Sequence, residues 1–422
     1  MSETVHEKSA AHEWKQGWRF VLLTAIAISF TPAALPPYTI GVFVEPLHDA
    51  FGWGRGAIQT AILFSTGFGL AGGPLAGWMI ERWGVRRTII YGIIGMSLPV
   101  AACAALTGWV WQLYLFYGMI AIVGAGAGAV SWIFLIADRF EKSRGLALGV
   151  ALSGTGLAAI ILPRLAATGV DMWGWRGAYI GIAAFGLLFI LPLCLLILPR
   201  HRLHGATPGD DDEPQEIATG LSVREAVRSY RFWIIGGSTT AIYIAIGGLI
   251  PNIVPALKDK GLSTDEAVNI MSFFGVSIIV GRIAVGGLVD RFWAPAIAAA
   301  VLVPAAIACF LFQFPLSFAG LAVVAMMIGM ATGMEFDLVG FLVGRYFGLA
   351  NFARIFGRLY MFLALGAGIG PLAFGAAHDL TGSYNVLLAI SSGLLVASAL
   401  ALLMLGRYPD KKDWQPAIND AG

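Results

Sequence analysis

Three charged side chains, Arg282, Glu335 and Asp337, lie inside long apolar runs of this chain. A charge at the centre of a bilayer costs about 2.5–3.5 kcal/mol on an insertion scale, so it marks a cavity or a partner. Arg282 precedes Asp290 by eight residues, and Asp290 is expected at the inner surface. Asp337 and Glu335 precede Arg345, also expected there, by eight and ten residues. At the helical rise these separations are about 12, 12 and 15 Å, so the guanidinium and both carboxylates share one depth. A guanidinium keeps its charge and presents a planar donor fork that matches a carboxylate. Two uses are open. It neutralises Glu335 or Asp337 and joins two helices, or it receives a carboxylate-bearing solute, and one arginine can exchange the first for the second. Glu335 and Asp337 are about 200° apart around a helix and cannot face the same point. One is expected to line a cavity and the other to touch a neighbouring helix or an inner gate. A carboxylate removed from water keeps a proton more readily, which suits proton loading. The alternative is a static ion pair with Arg282, Arg345 or Arg358. Tyr38, Tyr117, Tyr243 and Tyr360 are amphipathic groups within the apolar runs and are the candidate solute contacts beside Arg282. Arg164, next to Pro163, is expected to snorkel to an interface.

The elements that hold these residues must be membrane helices. The chain is 58% hydrophobic and 12% charged, with a mean hydropathy of +0.78. Soluble domains carry about 25% charged residues, so this surface cannot be coated by water. Glycine makes up 54 of 422 residues, as expected where membrane helices approach closely. The four-residue spacing of Gly145, Gly149 and Ser153, and of Gly366 and Gly370, predicts such packing. The net charge of +2 says nothing about nucleic acid, and with no basic patch interleaved with aromatics no nucleic-acid partner is expected. The cysteines Cys103, Cys194 and Cys309 all lie in apolar runs, which argues against a disulfide framework. With no metal-ligand cluster, nucleophile elbow or phosphate-binding loop, neither a cofactor, a metal, ATP coupling nor enzyme activity is expected. Residues 1–18 are polar and the first apolar stretch is full length, so it reads as a membrane helix and not a cleaved signal.

A spanning helix needs about 20 mostly apolar residues. Twelve such segments are expected, at 20–44, 56–80, 87–107, 110–136, 145–168, 176–198, 232–256, 267–289, 294–313, 316–344, 353–377 and 385–406. The chain divides into a tail (1–18), a six-helix bundle (19–198), a linker (199–231), a second six-helix bundle (232–406) and a final tail (407–422). The expected class is thus all-α and polytopic, with two pseudo-symmetric halves. Ser222 and Glu225 have the spacing of a capping box for a short helix in the linker. Of 27 Lys and Arg, only Arg55, Arg164, Arg176, Lys258 and Lys260 fall on the outer side when the N-terminus is inside, with Arg282 within a span. The positive-inside bias therefore puts the tails and linker in the cytoplasm. Short loops and the lack of a glycosylation sequon point to a bacterial plasma membrane. Pro32, Pro36 and Pro37 in span one, and Pro251 and Pro255 in span seven, are expected to break corresponding helices of the two halves near a binding site or outer gate.

After the second span comes Gly77-Trp78-Met79-Ile80-Glu81-Arg82-Trp83-Gly84-Val85-Arg86-Arg87, echoed in part by Gly286-Gly287-Leu288-Val289-Asp290-Arg291-Phe292. A charged turn repeated in two six-helix halves resembles the major facilitator superfamily. The run Arg139-Phe140-Glu141-Lys142-Ser143-Arg144-Gly145-Leu146-Ala147-Leu148-Gly149, continuing to Ser153-Gly154-Thr155-Gly156, is similar to the fifth-helix signature of the monocarboxylate porters and their oxalate/formate relatives. Gly281-Arg282, Gly370-Pro371 and Asp379-Leu380-Thr381-Gly382-Ser383-Tyr384 are similar as well. The chain departs from the animal porters at two places. Pro32, Pro36, Pro37 and Tyr38 stand where those carry a first-helix lysine, and Ile278 stands where they carry an aspartate.

The resemblance implies a cavity between halves that rock to expose it alternately. Glu81 and Asp290 are then expected to gate the cytoplasmic side, each holding the positive N-terminal end of a helix in the opposite half. By resemblance those helices are spans eleven and five. Arg82, Arg86 and Arg291 would pair with nearby acids such as Asp138. The expected function is secondary transport of a small organic monocarboxylate anion with a proton, by a monomer, through Arg282 and at least one of Glu335 and Asp337. Organic-anion exchange, or proton-coupled efflux of lipophilic cations or drugs, is the alternative. A membrane enzyme or sensor finds no support in the motifs.

Overall fold

The computed structural model describes residues 10–140, 143–198, 220–289 and 291–409. Among them every regular element is helical, apart from one isolated antiparallel bridge between Gly220 and Gly348. The first expected span comprises α1 (Ala10–Ile28) and α2 (Leu35–Phe51), and the second α3 (Arg55–Gly69) and α4 (Gly72–Trp83). The third is α5 (Val85–Ala102), and the fourth is α6 (Val110–Val123) with α7 (Ala129–Arg139). Then come α8 (Arg144–Leu152), α9 (Gly154–Phe185) and α10 (Leu191–Ile197). After the linker run α11 (Val223–Arg228), α12 (Tyr230–Ile242), α13 (Ile253–Asp259), α14 (Thr264–Val289), α15 (Ala294–Leu311), α16 (Phe318–Phe347), α17 (Phe352–Thr381) and α18 (Asn385–Leu403).

Eight helices among the described residues are long and apolar enough to cross a membrane, or nine if α6 and α7, bent by 57°, count as one span. The gap from twelve has physical causes. The stretch Gly145–Ile197 covers 53 residues. As one helix it would be about 80 Å long, far more than a bilayer is thick. Gly174, at φ 68° and ψ 174°, turns the chain there and makes it two spans. A backbone at that φ is strained for any residue with a Cβ. The first and second spans are each broken into two shorter helices, and counting them restores the expected set.

The proline-bearing breaks fall where the sequence puts them. α1 ends at Ile28 and α2 starts at Leu35, so Pro36 and Pro37 occupy its first turn, where a missing N–H costs nothing. Span seven passes from α12 through a π-helical turn (Tyr243–Gly247) and a 3₁₀ turn (Ile250–Asn252) into α13. The carbonyl of Pro251 is freed by that break and accepts from Nε2 of Gln59 at 3.1 Å. Gly41 lies against the same carbonyl, where a Cβ would approach to 2.5 Å.

The segments before and after the linker meet along three seams. α3 lies along α17, α9 along α14, and α2 against α13 and the 3₁₀ turn. Gly366 and Gly370 pack closely on the backbone of Thr240 and Ile244, as their spacing predicts. Gly145 and Gly149 do not. A Cβ at either would meet nothing within 4 Å. The last stretch of the linker is held to the second half. The Leu221 amide donates to the Phe347 carbonyl at 2.8 Å, and a capping box of Ser222 and Glu225 starts α11.

Candidate functional site

Arg282 lies in the last third of α14 and its side chain is 7% exposed. Nε is 3.0 Å from Oδ2 of Asp337 on α16, and it also donates to the Gly333 carbonyl at 3.3 Å. Asp337 is 40% exposed, so the carboxylate faces open space while its partner is buried. Nη1 reaches the other half of the molecule. It donates to the Leu152 carbonyl, and the Thr155 hydroxyl is 3.4 Å away. Among the described residues nothing accepts from Nη2.

The Leu152 carbonyl is available because the helix breaks there. Gly156 bonds the Ser153 carbonyl at 2.9 Å in place of the Leu152 one, which separates α8 from α9. Gly154 lets this kink lie on α1, since a Cβ would fall on the Ala25 backbone and 3.0 Å from Ile28. A main-chain acceptor is therefore exposed at membrane depth, where irregular backbone is tolerated only if protein or water satisfies it.

Glu335 points the other way, as two residues of helix require. It is buried within the second half, among Thr239, Tyr243, Leu338 and Leu402, and its Oε1 has no hydrogen-bond partner among the described residues. Tyr38 on α2 lies within electrostatic range of Glu335 and Arg282. Tyr243 does so with Glu335, Tyr360, Arg282 and Asp337. The charged triad thus gathers Tyr38 and Tyr243 from the two halves, and Tyr360 lies near Tyr243. Tyr117 stands apart. Its hydroxyl is 3.4 Å from that of Tyr179, which stacks on Phe43 in the interior of the first half.

Toward the end that carries the α2–α3 and α17–α18 turns, called outer here, the halves are bonded together. Arg55 makes a two-point ion pair with Asp259 at 2.7 and 2.8 Å and donates to the Tyr384 hydroxyl at 3.0 Å. His378 is 3.1 Å from the same Asp259. Asp379, at the end of α17, accepts from the backbone N–H groups of Arg55 and Gly56 at 2.9 and 2.8 Å. A carboxylate on two free amides at a helix start satisfies orphan donors and meets the positive end of the helix dipole. Lys258 pairs with Glu45. Arg164 is exposed. It donates to Asn269 across the α9–α14 seam.

The inner end, which carries the charged turns, differs. Glu81, Arg82 and Arg291 are exposed and form no ion pair with described residues. Arg86 donates to the Leu195 carbonyl of its own half at 3.2 Å. Asp290 and the side chain of Asp138 lie outside the described residues. At the start of α17, Arg354, Gly357 and Arg358 are exposed. Between described side chains, every hydrogen bond or ion pair that joins the halves lies at the outer end or at the level of Arg282. Inward of Arg282 no such bond joins described side chains of the two halves, and the Asp337 side chain is 40% exposed.

A sequence profile described as the Major Facilitator Superfamily matches residues 20–348. The chain belongs to the major facilitator superfamily. It is 25% identical over 415 residues to monocarboxylate transporter 11 of Homo sapiens, covering 93% of this chain and 83% of that one. It is 25% identical over 419 residues to monocarboxylate transporter 4 of Rattus norvegicus, covering 92% and 82%. Among solved structures, it is similar to a bacterial homolog of the human lysosomal transporter Spinster in an inward-facing and occupied conformation. That match has a TM-score of 0.67 and 20% identity and covers 95% of this chain and 100% of the other. An unoccupied form of the same homolog gives 0.62. The relatives are transporters and not enzymes, and the superfamily fold is an all-α polytopic membrane fold.

The site residues the sequence did not single out are the ones held by backbone. Leu152 and Thr155 lie in the stretch quoted for its family signature, but nothing in their side chains marks a broken helix. Asp259 and Asp379 were open to the depth argument used for Arg282, since Arg55, Asp259 and Asp379 all fall at outer span ends.

Proposed function

We propose that the protein carries a small organic monocarboxylate anion together with a proton, by rocking its two six-helix halves about the level of Arg282. The observation that carries this reading is the state of that guanidinium. It is buried, held at Nε by Asp337, bonded at Nη1 to the opposite half, and without an acceptor at Nη2 among the described residues, beside the partly exposed Asp337. A carboxylate entering the crevice finds an unused donor edge with a fixed charge. The names of the relatives, monocarboxylate transporters, agree with that chemistry.

Charge balance supports the proton. Arg282 and Asp337 neutralise one another, so a second anion at the same cation leaves the site net negative. A proton on Asp337 restores neutrality, and the exposure of Asp337 gives that proton a route from the crevice. Glu335 is enclosed on the opposite face of α16 and is the reserve candidate. The short loops and the lack of a glycosylation sequon support a bacterial plasma membrane, and the Lys and Arg distribution supports both tails and the linker in the cytoplasm. The cavity is then open to the cytoplasm, and the protein works as a monomer.

The test is uptake of labelled monocarboxylates into proteoliposomes. Arg282→Lys keeps the charge and removes the planar fork, and uptake should fall by about 100-fold. Asp337→Asn should leave exchange of internal and external substrate while removing the response to a proton gradient. Uptake by Arg282→Lys at the wild-type rate would overturn the carboxylate reading. A gradient response that survives Asp337→Asn moves the proton to Glu335.

A further inference from the structure

At the inner end of the first half, α1 lies against the turn between α7 and α8. Glu13, in the first turn of α1, accepts from both the backbone N–H and the hydroxyl of Ser143, at 3.1 and 2.7 Å on one oxygen. Ser143 is the residue before α8. The two elements are also packed together. The Trp14 ring lies 5.7 Å from that of the buried Phe140, and a Cβ on Gly17 would fall 2.3 Å from the same ring. This packing fixes the carboxylate at the start of α8, where the helix dipole is positive and the bonds are charge-assisted. The start of α17, at the same end of the molecule, is treated differently. Asn351, the residue before it, makes no capping bond, and its side chain donates to the Leu221 carbonyl at 3.1 Å instead. The start of α8 is thus filled from within its own half, while α17 starts with no such carboxylate among the described residues.

We infer that Glu13 is a conformational place-holder: it occupies the start of α8 while the inner legs are parted, and the legs close only when a carboxylate of the opposite half displaces it. This rests on the rocking of the halves and on the expectation that the charged turn at Asp290 docks on span five. The legs are parted here, since a Cβ at Gly145 or Gly149 of α8 meets nothing within 4 Å. One helix start accommodates one carboxylate, because a second at the same point is repelled by the first. Glu13 therefore subtracts from the attraction that draws the legs together and biases the protein toward the form in which they are apart. The attraction between Glu81 and the start of α17 carries no such offset. The two inner contacts then differ in strength although the charged turns echo one another, and the inner end of α1 sets the difference.

The experiment uses the full chain in lipid, with spin labels across the outer ends at the exposed Leu380 and Trp109. Glu13→Gln keeps the shape and an acceptor oxygen and removes the charge. It should shift the populations about twofold to fivefold toward the form with closed inner legs, read as a longer outer distance. Ser143→Ala removes one of the two bonds and should act in the same direction by less. Asp290→Asn should act in the opposite direction, and in that background Glu13→Gln should add nothing, because no carboxylate is left for Glu13 to obstruct. An equal Glu13→Gln shift with and without Asp290 overturns the exchange. So does a Glu13→Gln protein that melts earlier with unchanged populations, which assigns Glu13 to the folding of the first half alone. Gly156→Leu, which crowds the shut outer seam, is the reference for rocking itself. If it lengthens the outer distance and Glu13→Gln does not, the halves rock and the place-holder falls. If neither changes the distance, both readings fall.

Discussion

The two ends of the seam between α9 and α14 differ although the same pair of spans forms both. Outward of Arg282, Gly156 and Gly275 bring the backbones together, since a Cβ at either would lie 2.6 Å from the other's carbonyl oxygen. Farther out, Arg164 bonds Asn269. Inward of Arg282, Gly145 and Gly149 on α8 and Gly286 and Gly287 on α14 have open space where a Cβ would point. The sealed part and the parted legs meet at the break between Leu152 and Gly154. Small residues on both sides of that point give each end the capacity for close backbone approach, and only one end uses it. The arrangement is that of a lever, with Arg282 and its hold on Leu152 near the fulcrum.

The sharpest way to break the comparison is to fill each end. Gly156→Leu places a side chain against the α14 backbone in the sealed seam. Overpacking of this kind costs about 1–3 kcal/mol or more, and only in the state where the seam is shut. The outer end should open and uptake fall on the order of 100-fold. Gly149→Leu meets nothing in the state described here. It should leave that state intact yet block closure of the inner legs, with a similar loss of uptake. Spin labels across the outer ends, for instance at the exposed Leu380 and Trp109, should separate in Gly156→Leu and stay close in Gly149→Leu. Equal distances in both variants would show that the glycines on the two sides of Arg282 are not alternative seams.

A smaller effect is expected from the charges at the outer end. Arg55→Ala removes the two-point pair with Asp259 and the bond to Tyr384, while Asp379→Asn removes the charge at the start of α3. The Arg55 and Asp259 side chains are 15% and 32% exposed, so solvent screens part of the pair. Each change should cost about 1 kcal/mol of outer closure, near a fivefold shift between conformations. Reactivity of single cysteines placed along the outer part of α3 should rise accordingly. Unchanged reactivity would assign closure to backbone packing alone.

Much of this was legible in the residues, and the remainder was hidden for identifiable reasons. The depth shared by Arg282 and Asp337 came from counting residues to charged span ends, because a straight helix turns a sequence distance into a height. The opposite facing of Glu335 and Asp337 came from the helical angle. The prolines of spans one and seven marked breaks because a missing N–H and a fixed φ act locally. Leu152 gave no such mark. Its role depends on a main-chain carbonyl freed by a kink at Ser153 and Gly154, without a proline, and the sequence does not record which carbonyl a distant arginine will take. Gly145 and Gly149 misled for a related reason. A glycine spacing states that helices can approach, and the conformation decides whether they do.

The last and smallest expected effect concerns Glu81. At the outer end Asp379 from one half holds the first amides of α3 in the other. Glu81 and the start of α17 are the matching pair at the inner end, and here both are exposed and apart. If the two ends use one device in alternation, Glu81→Gln costs nothing in the state described, where the carboxylate has no partner among the described residues. It weakens only the opposite state, by about 0.5–1 kcal/mol for a charge at a helix start. Asp379→Asn and Glu81→Gln should therefore move the outer-end label distance in opposite directions, with Glu81→Gln giving about a twofold to fivefold shift toward the outer-closed form. The double variant should return close to the wild-type balance, since the two losses fall on different states. A Glu81→Gln protein that opens at the outer end, as Asp379→Asn does, would mean that the inner charged turn acts within its own half and that the symmetry between the two ends is one of sequence only.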